Sequence, residues 1–475
     1  MRKLTVFILA LFLILTVSCA SGNGSEEVFD EDFSSNETRF DLGGFCFEIR
    51  FYDDYTPEDG SVFGYKNGSE FNDAAVKRIE EVEKSMNCTI TPSNSSGLGL
   101  ESNFNIVQMS GLNFCSAVIT SSYSLRPSIE AGLFEPLSQV SDIIDYRNSE
   151  KWGNWKVLEQ SVWDGEIYGV VPVQWPEVEM SEGYLFVFNE KFAGLLGQPD
   201  PREYIEDRSW SREILGEMML TYTTDDLGHN LKALMAYDGH FYDTALRANN
   251  AQAYKLVNGE YVSGYHTPEG LEALTWADDF LHVTYADCIY PDPGTEDGRN
   301  KVFINENCAM LYTRAANAFG SNDPIPYAVE NICILPMPNG PERVNQPYTT
   351  FFECVHDNIL FPTNGNIEYS AVIVNALFEP LEGFGADELK DYYMRYLCHS
   401  ETDYNVAKEL FANGRYSFVS DGIRAPLVEA LYGNHSKTVA QVFEATEEVQ
   451  NELVQKYLVP TVSSLEEIFG TDALE

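Results

Sequence analysis

The sequence predicts an α/β protein whose folded part forms two lobes, each with a mixed, mostly parallel sheet flanked by helices. The first third of the chain alternates short β-rich segments with helical segments, a pattern that favours parallel strands joined by helices. The chain has 475 residues, 44% of them hydrophobic, which is more than one hydrophobic core normally holds. A helix-rich middle then separates two strand-rich regions, which indicates a second lobe.

The beginning of the chain has the form of a secretory signal peptide. Two basic residues precede an apolar run from Leu4 to Leu15, which is shorter than the roughly 20 residues of a membrane span, and a small residue precedes Cys19. We therefore predict a signal peptide at 1–18 and a lipid on Cys19, which would hold the protein at the outer face of the cytoplasmic membrane. Thr16 departs from the usual Leu or Val, so an ordinary secreted protein stays an alternative.

Residues 19–40 and the overall charge indicate how the protein behaves in water. The segment 19–40 is rich in Ser, Gly, Asn and acidic residues, which predicts a flexible, lipidated tether. The whole chain has 74 acidic and 30 basic residues, a formal net charge of −44, which disfavours nucleic acid as a partner. The acidic residues are scattered among apolar ones, so a solvated surface explains them and charge alone indicates no ligand.

The cysteines of the mature part are predicted to be mostly free thiols, although one or two disulfides stay open. Several of them lie in apolar or β-rich runs, where a thiol packs as a small hydrophobe. No Cys or His cluster has zinc spacing, so neither a metal nor another cofactor is predicted. The cysteines in such runs are Cys46, Cys88, Cys115 and Cys333.

Periodicity places the elements along the chain. The first third is predicted to contain strands at Phe45–Tyr52, Cys88–Pro92 and Cys115–Thr120 and helices at Glu70–Met86 and Leu125–Gly132. The middle is predicted to contain helices at Ser211–Tyr222, Leu231–Ala236 and Pro268–Thr284, the last with Thr267 as its N-cap. Strands follow at Asn331–Pro336, Thr349–Val355 and Asn358–Phe361, and the tail from Glu379 is predicted to be mostly helical.

The strand ends of the first lobe supply candidate binding residues. In open α/β sheets, ligands bind outside the carboxyl ends of the parallel strands. This rule points to Tyr52 and Asp53 after the first strand and to Ser121, Ser122 and Tyr123 after the third. Asp53 is equally well explained as a turn residue.

The stretch Trp163–Phe192 resembles the hinge of extracellular solute-binding proteins of family 1, the maltose-binding-protein-like group. Tyr168-Gly169 and Pro172 match the Gly-Lys-x-Tyr-Gly-x-Pro segment of that family, with Glu166 in place of its Lys. The strand that follows in the family ends Tyr-Asn-Lys-x-Phe. Its counterpart here is Phe188-Asn189-Glu190-Lys191-Phe192.

Three later segments resemble further motifs of the same family in the same order, so that the resemblance extends from about Phe45 to the helical tail. Asn307 stands where the family usually has Gly, and Thr313-Arg314 stands where it often has Gly-Pro-Trp. The segments are Ser209-Trp210-Ser211 for Thr-Trp-x, Phe303–Met310 for Phe-x-x-Gly-x-x-Ala-Met, and Ile334–Gly340 for Leu-Pro-x-Pro-x-Gly.

The resemblance implies a type II periplasmic-binding-protein-like fold with a hinge of several chain crossings. The first lobe would comprise 41–176 and 326–380, and the second 177–325 and 381–475. The implied protein is a monomer without enzymatic activity that binds a sugar or oligosaccharide between its lobes and delivers it to the permease subunits of an ABC importer.

The same resemblance places further candidate binding residues at the crossings and in a second-lobe loop, Tyr237–Tyr242. Sugar sites combine aromatic rings with carboxylates and amides, which these segments contain. Packing is the alternative for Trp175 and the loop aromatics, and an ion pair is the alternative for Arg314. The candidates are Trp175, Glu177, His240, Phe241, Tyr242, Arg314 and Asn317.

Other functions are less well supported by the sequence. Binding of a polyamine, a peptide or another polar solute is the nearest alternative. An exported glycoside hydrolase is the enzyme alternative, because many carboxylates guarantee some chance pairs, but no Gly-x-Ser-x-Gly or His-Glu-x-x-His motif is present. Four other tryptophans are predicted to lie in the core, namely Trp152, Trp155, Trp210 and Trp276.

Overall fold

The computed structural model describes residues 40–470 apart from 52–61, 95–99, 122–124, 154, 176–177, 228–229, 321–323, 353–356, 417–424 and 432–436. The predicted signal peptide, the lipidation site and the tether therefore lie outside the described residues. From Asp41 onward the chain belongs to one compact unit.

The strands of this unit belong to two larger sheets and three two-stranded ladders. They are β1 (Phe45–Phe51), β2 (Cys88–Asn94), β3 (Ala117–Ser121), β4 (Val162–Trp163), β5 (Glu166–Ile167), β6 (Gly169–Val170), β7 (Tyr184–Asn189), β8 (Lys232–Met235), β9 (Tyr254–Val257), β10 (Glu260–Ser263), β11 (Cys308–Arg314), β12 (Ile332–Leu335), β13 (Phe351–Phe352), β14 (Asp357–Leu360) and β15 (Arg415–Tyr416).

Helices cover the sheets and form most of the tail. They are α1 (Glu70–Met86), α2 (Leu100–Met109), α3 (Leu125–Glu130), α4 (Ser149–Trp152), α5 (Trp155–Leu158), α6 (Val178–Ser181), α7 (Glu190–Leu196), α8 (Arg202–Glu206), α9 (Arg212–Thr221), α10 (Asp238–Ala248), α11 (Pro268–Asp279), α12 (Glu296–Ile304), α13 (Ala315–Phe319), α14 (Pro324–Ala328), α15 (Ile367–Leu377), α16 (Ala386–Tyr396), α17 (Glu401–Asn413), α18 (Ala425–Leu431), α19 (Val439–Leu453) and α20 (Val459–Phe469).

The first sheet has the strand order β2-β1-β3-β14-β6, and its first three strands are parallel. Strand β14 runs antiparallel to both of its neighbours. Alternate residues of β1, Phe47, Ile49 and Phe51, are buried against the core, as the period of a half-buried strand requires. The predicted β-α-β beginning is confirmed, and helix α1 has the predicted bounds.

The second sheet has the order β12-β7-β11-β8 and is more mixed than predicted. Strand β7 is antiparallel to β11 and to β12, and only β11 and β8 are parallel. Every residue of β7 is buried, as expected for an inner strand whose two faces are both covered.

Two predicted elements of the second lobe are wrong. Residues 231–236 were predicted to form a helix, but they contain strand β8, which pairs with β11. A short apolar run fits either a buried strand or a helix, and the pairing partner decides which one forms. The predicted ligand loop Tyr237–Tyr242 is instead the first turn of helix α10, with Tyr237 as its N-cap.

The predicted lobe boundary at 326 lies before a strand of the second sheet. Strand β12 pairs with β7, so residues 332–335 belong to the second sheet, and the chain rejoins the first sheet only at β14. The tail from Glu379 also contacts residues of the predicted first lobe and of the second sheet. The hydroxyl of Tyr392 accepts a hydrogen bond from the Lys66 amide at 2.9 Å, whereas the Asp403 carboxylate accepts one from the Ile334 amide at 2.8 Å. The lobe boundaries stay predictions.

Cysteines and tryptophans of the described part follow the predictions with two exceptions, Cys46 and Trp276. The described cysteines are free, as predicted for most of them, and all are at least partly buried except Cys46, which is exposed. Trp152 and Trp210 are buried, as predicted, whereas Trp276 is only half-buried and the side chain of Trp155 is outside the described part.

The Phe303–Met310 motif has Asn307 where the family usually has Gly. The residue with left-handed backbone in this motif is Glu306, with φ +60°, and not Asn307.

Candidate functional site

The edge of the second sheet brings together several of the predicted binding residues. Strands β8 and β11 are parallel, so their carboxyl ends lie at the same edge, and the antiparallel strand β7 begins there. Tyr184, the first residue of β7, pairs with Arg314, the last residue of β11. Helix α10 begins just after β8. This edge is where ligands bind in open α/β sheets.

Four rings form the aromatic part of this edge, which we call the Tyr184 cluster: Tyr184, Tyr237, His240 and Phe351. The Tyr184 hydroxyl is hydrogen-bonded to His240 Nε2 at 3.1 Å, and the Tyr184 ring stacks on Phe351 with centroids 4.7 Å apart. Tyr237 meets His240 edge-on at 4.6 Å. Tyr184 and Phe351 are buried, whereas Tyr237 and His240 are half-buried and present ring surface to solvent.

Arg299 fixes the outer ring of the Tyr184 cluster. Its guanidinium lies 4.6 Å from the centroid of the Tyr237 ring and donates two hydrogen bonds to Asp292, at 2.9 and 3.0 Å. Such a two-point contact with a carboxylate holds the guanidinium in one plane. Neither Arg299 nor Asp292 was predicted from the sequence, because neither belongs to a family motif.

Three polar side chains form a second group at this edge, which we call the Glu296 cluster: Glu296, Arg314 and Asn317. Glu296 Oε1 accepts hydrogen bonds from Arg314 Nε and Nη2, at 3.0 and 2.8 Å, and from Asn317 Nδ2, at 2.7 Å. The Arg314 side chain is 33% exposed and that of Glu296 42%. Asn317 is buried and also donates to Thr313. Arg314 therefore forms the ion pair that was the alternative to a ligand contact, and this pair lies at the edge of the second sheet.

Glu296 is the main residue that the sequence analysis missed. It lies in the first turn of α12, whose N-cap Thr295 accepts a hydrogen bond from the Gly298 amide. A carboxylate in this turn is favoured by the helix dipole. The Thr-Glu pair marks the start of a helix in the sequence, but only the tertiary structure shows that the helix begins beside Arg314.

Phe241 and Tyr242, predicted to contact ligand, lie in the core of the second lobe, with 0% of each residue exposed. They occupy the inner face of α10, whereas His240 lies on its other side. The Phe241 ring packs on Trp276 and Tyr312, and the Tyr242 hydroxyl donates to Asp278 at 3.0 Å. In this structure neither ring has a surface that a ligand can reach.

Trp175 packs against the first-lobe side of the crossing. Its indole N–H donates to the carbonyl of Val62 at 3.0 Å, and its ring meets Phe378 edge-on at 5.9 Å. The ring is half-buried. Trp175 therefore makes the packing contacts that were the alternative to ligand binding. A contact between Trp175 and a ligand stays a prediction.

Five further candidates lie outside the described residues, namely Tyr52, Asp53, Ser122 and Tyr123 of the first lobe and Glu177 at the crossing. Ser121 is the last residue of β3, and its backbone pairs with Asp357. Strands β1 and β3 are parallel neighbours, so their carboxyl ends lie at the same edge of the sheet. This geometry is what the prediction for these residues assumed.

A cavity of about 1000 Å³ lies elsewhere in the second lobe, between the start of α9, the end of α11 and the loop around Gly340. Its wall includes Trp276, whose ring is covered by the Arg212 guanidinium at 3.9 Å. Arg212 also donates to Glu272 at 2.7 Å.

Within the described residues no group of His, Cys, Asp and Glu side chains could hold a metal ion. No described helix is long and apolar enough to span a membrane.

Comparison with known proteins identifies the architecture. No family model matches the sequence, and no curated protein does. Among solved structures, a cyclo/maltodextrin-binding protein complexed with maltotetraose is similar over 87% of this chain and 98% of its own, with a TM-score of 0.58 and 13% sequence identity. The chain has the two-lobed type II fold of periplasmic binding proteins.

Two further structures give the same result. An ABC substrate-binding protein from Listeria monocytogenes in complex with cycloalternan has a TM-score of 0.54 and 15% identity, over 87% of this chain and 99% of its own. The maltose/maltodextrin-binding domain from Bdellovibrio bacteriovorus bound to maltotriose has a TM-score of 0.51 and 16% identity, over 86% and 99%. At such identities the likeness extends to the fold, which the sequence analysis predicted.

Proposed function

We propose that this protein is the solute-binding lipoprotein of an ABC importer and that it binds a sugar or oligosaccharide between its lobes. The observation that carries the proposal is the type II fold, together with a mixed aromatic and polar edge on its second sheet. The similar structures named above contain maltotetraose, cycloalternan and maltotriose. A fold can host several functions, so the argument for sugar also depends on the edge residues.

The two clusters at the sheet edge have the chemistry that a sugar requires. Sugars combine apolar C–H faces with directional hydroxyl groups. The accessible rings of Tyr237 and His240 suit the C–H faces. The partly exposed Arg314 and Glu296 suit the hydroxyls, because a guanidinium donates and a carboxylate accepts in fixed directions. Arg314 also makes an acidic sugar an acceptable ligand.

The remaining parts of the proposal concern location and partners. A signal peptide at 1–18 and a lipid on Cys19 would place the protein at the outer face of the cytoplasmic membrane, where importer permease subunits could receive the solute. We propose that it acts as a monomer and without a cofactor. The similar structures named above are binding proteins, and we propose the same non-enzymatic role here.

A ligand screen tests this function. The mature protein is melted in the presence of a panel of neutral sugars, acidic sugars, polyamines and peptides, and hits are titrated by calorimetry. A ligand at about 100 times its dissociation constant stabilises a protein by about 2.7 kcal/mol, which a melting curve detects. We expect hits among the sugars. A polyamine or peptide as the only hit would refute the sugar assignment, and steady glycoside hydrolysis by pure protein would refute the binding-only role.

A further inference from the structure

A buried arginine in the second lobe lacks a partner for part of its guanidinium. Arg247 lies in the last turn of α10, and only 9% of the residue is exposed. Its Nη2 is buried and has no hydrogen-bond partner among the residues that the structure describes. This is unexpected in a chain with 74 acidic residues, because buried charges in proteins are normally paired.

A second arginine approaches the same helix end from the loop after β12. The Gly340 amide donates to the carbonyl of Ala248 at 2.7 Å, which holds the loop against the end of α10. Arg343 follows in this loop and donates from Nη2 to the Pro347 carbonyl at 2.8 Å. Its Nε is buried and, among the described residues, without a partner.

Two more cations reach this place from the tail and from the first-lobe side. Arg415 begins β15, which pairs with β13, and α10 packs against β13. Lys156 lies on α5, which packs beside β15, and its Nζ donates to the Ala412 carbonyl at 2.6 Å. Lys156, Arg247, Arg343 and Arg415 are called the Arg247 cluster below.

The electrostatics of the Arg247 cluster are strongly positive. Burial above all lowers the pKa of Arg247 to about 10; the charges of Arg415 and Arg343 act in the same direction, and Tyr265 and Glu159 oppose them. Arg247 therefore stays charged at neutral pH. Glu159, itself buried, is the carboxylate that influences both Arg247 and Lys156. Of the fully charged groups that act on Arg247, two are arginines and one is a carboxylate.

We propose that the Arg247 cluster binds a small oxyanion, a phosphate or a carboxylate, whose oxygens accept hydrogen bonds from the Arg247 guanidinium. A planar guanidinium fork matches two oxygens of such a group, and charge-assisted hydrogen bonds of this type are strong. Lys156, Arg343 and Arg415 are half-buried, so the cluster extends to the surface on their side. The Arg247 cluster shares no side chain with the Tyr184 and Glu296 clusters, although Arg415 pairs through its backbone with Phe351 of the Tyr184 cluster. Binding of an oxyanion by these cations does not depend on the proposed sugar binding.

The test compares melting temperatures of the wild type and Arg247→Met in sodium chloride, inorganic phosphate and acetate at equal ionic strength. Phosphate stabilises folded proteins in general. The measured quantity is therefore the increase in melting temperature of the wild type minus the increase in melting temperature of the variant. We expect an extra gain of about 2 °C for the wild type at about 10 mM of the bound anion. Arg208→Met, which changes an exposed arginine paired with Glu409, is the matched control and should keep the full gain.

The anions and a second variant make the outcome decisive. A gain in phosphate alone assigns a phosphate site, and a gain in acetate alone assigns a carboxylate site. Arg343→Met, a change at a half-buried position, should also lose the gain and serves if Arg247→Met does not fold. Equal gains in the wild type and the cluster variants with both anions would overturn the proposal.

Discussion

At the scale of single residues, Glu296 determines the geometry of the polar part of the candidate site. One of its carboxylate oxygens holds both Arg314 and the buried amide of Asn317. Glu296→Ala would leave the Arg314 guanidinium without this acceptor and the Asn317 amide with fewer partners. We expect a loss of solute affinity of about 10-fold and a loss of stability of about 1–2 kcal/mol.

The matched control for Glu296→Ala is its neighbour Asp297. The Asp297 side chain is 71% exposed and forms a surface pair with Lys301 on the same helix. Asp297→Ala should therefore change stability by less than about 0.5 kcal/mol and leave the affinity unchanged. Calorimetric titration and urea unfolding measure both quantities. If the two variants behave alike, the Glu296 cluster has no role in binding.

His266 makes the stability of the protein depend on pH. Its Nδ1 is hydrogen-bonded to Ser263 Oγ and its Nε2 to Thr446 Oγ1, each at 3.1 Å, and burial above all lowers its pKa. Below pH about 6.5 the unfolded chain takes up a proton that the folded chain resists, so stability falls as pH falls. His266→Gln should reduce this fall between pH 7.5 and 5.5, as measured by urea unfolding at each pH.

His282 should have the opposite effect on the pH dependence of stability and serves as an internal check. Burial acts to lower its pKa, but the hydrogen bond and the charge of Asp238, 3.2 Å away, outweigh this effect and raise it. The contribution of His282 to the stability of the folded protein is therefore complete below pH about 6.5 and is lost as pH rises through the raised pKa. His282→Gln should cost stability mainly at acidic pH. Both variants with the same pH dependence would contradict the assignment of the two environments.

At the scale of elements, capped helices could be predicted from the sequence and short apolar runs could not. Helix α1 has Ser69 as N-cap and Asn87 in the left-handed region as its end, and α11 has Thr267 as N-cap. These local signals do not depend on tertiary contacts. Residues 231–236 contain no such signal, and the pairing of β8 with β11, a contact over more than 70 positions, makes them a strand.

The candidate site was predictable to a similar extent and for the same reason. Arg314 and Asn317 were found because a family motif ends in front of them. Glu296 and Tyr184 were missed, because only the packing of α12 and the pairing of β7 with β11 bring them beside Arg314. Phe241 was predicted to contact ligand because the segment was interpreted as a loop, whereas it lies on the buried face of helix α10. In a helix, residues that are neighbours in sequence face different sides.

The segment before β7 offers a test of how tightly the crossing is packed. Gly183 has φ +86°, and a Cβ at this position would lie 2.2 Å from Thr350 Cγ2. Thr350 Oγ1 in turn accepts a hydrogen bond from the Tyr184 amide at 2.8 Å. Gly183→Ala would add backbone strain and displace Thr350, so we expect it to cost about 2–5 kcal/mol in urea unfolding.

Gly165 separates the two causes in the Gly183 experiment. Its φ of +83° is almost the same, but nothing lies within 4 Å of a Cβ built there. Gly165→Ala should therefore cost only the strain, about 1–2 kcal/mol. Equal losses of unfolding free energy in both variants would show that Thr350 moves away from the added methyl group at little cost.

At the scale of the whole molecule, the predicted lipid on Cys19 is the feature that would connect the folded body to a membrane. Cys19→Ser should leave export and folding intact and release the processed protein from membranes, because a lipid chain is the membrane-binding element in this proposal. Cell fractionation of the wild type and the variant measures the distribution. A processed Cys19→Ser protein that still sediments with membranes would contradict the lipoprotein assignment.

The two-lobed fold also predicts a change of shape on binding. Lobes joined by several crossings can rotate as rigid bodies, and a ligand that contacts both stabilises the closed arrangement through contacts that the open one lacks. We therefore expect the radius of gyration in small-angle X-ray scattering to decrease when the wild type is saturated with the solute found by the screen. Closure of this kind is what would allow an importer to distinguish the loaded protein from the empty one.

The extent of closure should depend on the second-lobe edge and not only on ligand occupancy. In Glu296→Ala, the solute would keep its first-lobe contacts and lose part of its contacts to Arg314 and Asn317, so the closed state gains less from the ligand. At ligand concentrations that saturate both proteins by calorimetry, the variant should show a smaller decrease in radius of gyration than the wild type, and Asp297→Ala should match the wild type. A wild type that binds the solute stoichiometrically without any change in radius of gyration would show that the solute does not act by closing the lobes.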